Sequence, residues 1–117
     1  MALQVLNGPF IQPGESLSDA HDCTAGSIIR LTMPGVWTPA NISFQISTDG
    51  ALFNDLVDFD GDYVQVPIVA GSALVVAPLV DYLKAVAFLK IRSGTPDHPV
   101  PQADLREFAV AIEVAGA

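Results

Sequence analysis

The chain has one cysteine, Cys23, and five basic residues among 117. A lone cysteine excludes an internal disulfide, so no covalent staple can stand in for a hydrophobic core. Thirteen acidic residues against five basic ones give a formal charge of −8, and no Lys or Arg lies between Arg30 and Lys84. Phosphate recognition needs clustered cations, so no nucleic-acid partner is expected. No apolar run approaches the ~20 residues that cross a bilayer as a helix. The opening "MALQVLNGPF" has neither the basic region nor the apolar stretch of a signal peptide. The expectation is a soluble protein made in a cytoplasm, with no membrane partner. A phosphate-binding glycine loop, a G-x-S-x-G elbow and a Cys-x-x-Cys pair are also missing.

What the chain does have is apolar residues at half of its positions, enough for one packed core in a domain of this length. Nine glycines and nine prolines are spread along the whole sequence and leave little room for a helix of three turns, which favours an all-β domain.

The clearest strand is "NISFQIS", where Ile42, Phe44 and Ile46 alternate with Asn41, Ser43, Gln45 and Ser47. "SIIRLTM" predicts Ile29, Leu31 and Met33 on one face and Ile28, Arg30 and Thr32 on the other. "AVAFLKIR" reads as a central strand that emerges at a rim with Lys90 and Arg92. "FAVAIEV" sets Phe108, Val110, Ile112 and Val114 inward and Ala109, Ala111 and Glu113 outward. Shorter strands are expected in "ALFNDLV", "YVQVPIV" and "SALVVAP", and a single helical turn over 79–84. Asp-Gly pairs at Asp49-Gly50 and Asp60-Gly61 suit the positive φ of tight hairpin turns. Turn spacing of this kind is that of a β-sandwich or barrel, and the expected fold is an antiparallel β-sandwich of jelly-roll type. Residues 1–26, with apolar anchors separated by turn formers, form either an opening strand pair or an arm, and 27–117 form the sandwich.

Several constellations invite a chemical reading. "DLVDFDGDYVQV" holds four aspartates. Counted from Asp58, the sixth position of a helix–loop–helix calcium site is Tyr63 and the twelfth Val69, where glycine and glutamate are needed. The motif is therefore absent, and no metal is assigned; a looser cation site from Asp58, Asp60 and Asp62 is the only candidate. A wet hairpin tip does not push carboxylate pKa values apart as acid–base catalysis requires. His21 and Cys23 sit two apart in "HDC", whereas nucleophile pairs usually converge from distant segments. Trp37 with Phe44, Phe53 and Tyr63 suits either a sugar-binding platform or, for Trp37, a cap on the core. No enzyme activity and no cofactor are expected.

The segment Trp37, Ala40, Ile42, Phe44, Ser47, Asp49, Gly50, followed by Leu89, Lys90, Arg92, Ser93, Gly94, Thr95 and then Pro99 and Gln102, resembles small virion proteins of tailed bacteriophages. The resemblance covers roughly residues 30 to 114. It implies a decoration or cement protein, or another minor head protein, on the capsid exterior. The implied partners are the major capsid protein and copies of the chain itself, with a trimer as the first expectation. Lys90, Arg92 and Arg106, together with His98 and Trp37, are the expected contact residues. The same layout is similar to discoidin-type carbohydrate-binding modules, which makes sugar-mediated adhesion the alternative.

Overall fold

The computed structural model describes residues 2–68, 73–75, 83 and 86–114. Among these the regular elements are nine strands: β1 (Ala2–Ile11), β2 (His21–Asp22), β3 (Ser27–Thr32), β4 (Ile42–Ser47), β5 (Asn54–Asp55), β6 (Gln65–Val66), β7 (Ala73–Val75), β8 (Phe88–Ser93) and β9 (Arg106–Val114). Two antiparallel sheets result. One has the order β1-β9-β3-β7; the other has the order β2-β8-β4-β5, with β6 pairing β4 further along the same strand. The protein is thus an all-β sandwich.

Alternation explains the long strands. Ile42 and Phe44 of β4, Leu89 and Ile91 of β8, and Phe108, Val110 and Ile112 of β9 are buried and meet in one core between the sheets. Their neighbours Gln45, Lys90 and Ala111 occupy the opposite faces, as period two requires. β3 departs from the simple alternation. Its register with β9 shifts between Ile28 and Arg30, and this bulge turns Ile28 into the core beside Leu31 and leaves Ile29 half-buried. One extra residue on a strand reverses the faces on one side of the irregularity, which is why Ile28 and not Ile29 is the core residue.

Residues 2–26 belong to the same sandwich. β1 pairs β9 from Ala2 to Asn7 and again at Phe10 and Ile11, while β2 pairs β8. Ile11 and Cys23 lie in the core, and the segment expected to be either a strand pair or an arm supplies one strand to each sheet. The segment 16–18 continues along β8 through Ser18 N–H to the Ile91 carbonyl and Ser93 N–H to the Ser16 carbonyl. The helical turn expected over 79–84 lies outside the described residues except for Leu83, which is buried in the core.

Candidate functional site

Three regions hold the residues singled out by the sequence. The first is the aspartate hairpin between β5 and β6. Gly61 takes a φ of 85° and Val57 bridges Tyr63, so the stretch is a closed hairpin tip. The carboxylate of Asp58 accepts from the amides of Asp60 at 2.9 Å and Asp62 at 3.0 Å. The Asp58 amide donates to the Asp62 carbonyl at 2.7 Å, and Gly61 N–H returns to the Asp58 carbonyl. Asp58 is therefore committed to its own loop. Among the described residues no three His, Cys, Asp or Glu side chains come together as a metal site. The same scaffold leaves Phe59 fully exposed at the tip, with Val57 and Leu52 also exposed on the flanking segments.

The second region is the outer face of the β8 sheet. Arg92 and Lys90 both point away from the core, but neither is a free cation. Arg92 Nη1 lies 2.9 Å from Asp55 Oδ1, to which Gln45 Nε2 also donates at 3.2 Å. Lys90 Nζ sits 4.3 Å from the centre of the Phe53 ring. Beside this group, a cleft of about 360 Å³ opens between the apolar Ile46, Leu52 and Val86 and the polar Thr48, Asp49 and Asn54. Asp49 caps its turn, accepting from the amides of Ala51 at 2.8 Å and Leu52 at 3.0 Å and from the Ser47 hydroxyl at 3.0 Å. Those bonds hold its carboxyl below the ordinary aspartate range.

The third region closes one end of the sandwich around Gln102. This residue is wholly buried, yet both atoms of its amide group are satisfied. Its Oε1 accepts from Thr38 N–H and Arg106 Nε, each at 2.9 Å. Its Nε2 donates to the Thr38 carbonyl at 3.0 Å and to Ser93 Oγ at 2.7 Å. The Gln102 backbone bonds Gly14 and Glu15, so one residue ties together four segments. Trp37 lies next in this end: its indole N–H donates to the Ala40 carbonyl at 3.0 Å, and its ring meets Phe108 edge-on at 5.7 Å.

The expected contact residues therefore divide. Trp37, Arg92 and Arg106 are buried rather than presented on a surface: one caps the core, one is ion-paired, and one is held by Gln102 and Thr38. Burial of Trp37 and Phe44 also dismantles the expected aromatic platform. His98 is exposed, on a tight loop in which Thr95 and His98 exchange backbone hydrogen bonds. The loop requires Gly94, at φ 88°, because a Cβ there would run into the His98 carbonyl oxygen.

His21 and Cys23 do not form a nucleophile pair. The Cys23 thiol donates to the His21 backbone carbonyl at 3.6 Å, and burial, with a smaller push from Asp22, raises its pKa to about 11. Burial lowers the pKa of His21 against the pull of Asp19 and Asp22, and its Nε2 is buried without a hydrogen-bond partner.

Sequence reasoning missed the burial of Gln102 and the exposure of Phe59. Gln102 stands in a proline-rich loop that reads as open, and Phe59 is one apolar residue inside an acidic turn, where no periodicity marks a side chain as outward. Comparison with protein-family models, curated proteins and solved structures finds no match.

Proposed function

We propose that this protein is a non-enzymatic structural protein of a tailed-phage virion that binds the capsid exterior and stabilises the assembled shell through the major capsid protein and copies of itself. The observation that carries the reading is the presentation of Phe59. A fully exposed phenylalanine is held out on a loop whose conformation is fixed by Asp58, so contact with a partner orders little that is not already ordered. Aromatic anchors of this kind carry a disproportionate share of interface energy when a pocket receives them. The aspartates around it direct the tip to a pocket with a basic rim and away from acidic surfaces. The contact thus moves from the cations expected in the sequence to the acidic hairpin.

The resemblance to phage virion proteins names the shell as the partner class. The test is to incubate the protein with heads that lack it. The wild type is expected to restore occupancy and heat resistance, and Phe59→Ser is expected to lose binding while keeping the melting temperature. Heads that stay bare with the wild type would refute the reading.

A further inference from the structure

The first half of β1 is amphipathic in the reverse sense. Gln4 and Leu6 pair with Ile112 and Val110 and so share the core-facing side, whereas Leu3 and Val5 pair with Glu113 and Ala111 and face outward. Leu3 and Val5 are 69% and 66% exposed, and Gln4 is exposed although it lies on the core side. A one-residue slip in register would bury the two apolar residues, yet the structure keeps them out.

β1 is also the terminal strand of its sheet, and among the described residues nothing pairs with the second edge of Ala2–Asn7. Sheet edges are normally guarded by charge, proline or a bulge. This one has no charged residue, since the first in the chain is Glu15, and its bulge and proline come only at Gly8 and Pro9.

We infer that the Ala2–Asn7 edge of β1 pairs antiparallel with the same edge of a second copy of this chain, in the register that sets Gln4 opposite Gln4 and Leu3 opposite Val5. Cross-strand partners share a face, so this register joins apolar to apolar on the outside and amide to amide on the other side. The occupant is a second copy on grounds of charge and pattern. Two chains of −8 repel over most of their surfaces, whereas the 14 residues before Glu15 carry no charged side chain, and Leu3-Gln4-Val5 is complementary to itself when run antiparallel about Gln4.

In the paired sheet, each outward row runs from Glu113 through Leu3 to the second copy's Val5, Ala111 and Arg30, so its two charged ends are of opposite sign. A six-residue edge is small for a protein interface, which makes the dimer concentration-dependent. The inference deepens the self-association in the proposed function and rests on that reading only for the place of the dimer on a shell.

The test uses the isolated full chain, without capsids, so its outcome is separate from that of head binding. Sedimentation equilibrium from micromolar to millimolar concentration is expected to show a monomer–dimer equilibrium. Leu3→Lys with Val5→Lys, both outward and outside the core, should weaken it at least ~10-fold by setting like charges opposite one another. Gln4→Cys should form a disulfide-linked dimer on oxidation, since directly opposed strand positions lie within disulfide reach. Asn7→Cys, off the two-fold, should not, and Cys23 is buried and contributes no background. A monomer throughout the range, a trimer, or an uncrosslinked Gln4→Cys protein would each overturn the inference.

Discussion

The Gln102 end of the sandwich and the Asp58–Asp62 hairpin are both rich in polar groups, and they spend them differently. At the Gln102 end the side chains point inward: one amide serves Thr38, Ser93 and Arg106, and the Arg106 guanidinium is held by the neutral oxygens of Gln102 and Thr38. At the hairpin one carboxylate, Asp58, serves the loop's own amides, and the remaining groups face water around Phe59. The difference shows that residue type alone does not mark a contact surface. Where the hydrogen bonds of a polar side chain end decides whether it holds the fold or remains free for a partner.

Substitutions should separate the two regions. Gln102→Ala removes the acceptor of the buried Arg106 Nε and both partners of the Thr38 backbone. Its expected cost is about 3 kcal/mol in chemical denaturation, the scale of stranding a buried charged donor and buried amide groups. A cost near zero would mean that the end region is not a buried network.

Paired glycine variants sharpen the contrast. Gly94→Ala meets the His98 carbonyl and a positive φ, and should cost about 2 kcal/mol or more. Gly61→Ala meets open space, so only its positive φ counts, at about 1 kcal/mol. Equal losses would contradict the claim that one turn is packed and the other free.

Asp58→Ala should cost about 1 kcal/mol, because it removes two loop hydrogen bonds at a solvated tip. Since that carboxylate is turned onto its own amides, millimolar calcium should leave the melting temperature of the wild type unchanged; a rise would show that the aspartates close on the ion.

The smallest effect is that of acid on His21. Its folded pKa lies below the ordinary 6.5, so the unfolded chain takes up the proton first. Stability contributed by the neutral ring is complete above pH 6.5 and declines as pH falls below it. A His21→Gln variant should flatten the stability profile just below pH 6.5 relative to wild type, and an unchanged slope would remove His21 as its source.

Much of the fold was legible because alternation survives wherever one strand face is buried. β9 follows its apolar spacing, β4 does so at Ile42 and Phe44 although Ser43 and Ser47 on its other face are buried too, and both Asp-Gly turns carry a glycine with positive φ. β3 failed at Ile28 and Ile29 because a bulge is an event between two strands and leaves no period of its own. The N-terminal segment was ambiguous for a related reason: β1 shows its apolar residues outward, so its pattern does not announce the sheet it joins.

The site was less legible. Arg92 and Arg106 read as surface cations until their partners Asp55 and Gln102, distant or unremarked in sequence, are seen beside them. Several of the residues that carry the phage resemblance are scaffold. Trp37 bonds Ala40, Ser47 caps the turn at Asp49 and Gly50, and Gln102 bonds Ser93. Those positions therefore encode a way of folding, and Phe59, the contact residue we propose, lies between them.

The central claim is that the hairpin tip is the contact and the Gln102 end is the frame. Titrating wild type and Phe59→Ser onto heads lacking the protein, with melting temperatures measured in parallel, tests it most directly. The account predicts that Phe59→Ser melts with the wild type and binds at least ~10-fold more weakly, as loss of a central aromatic anchor does. Equal binding by the two proteins would contradict it.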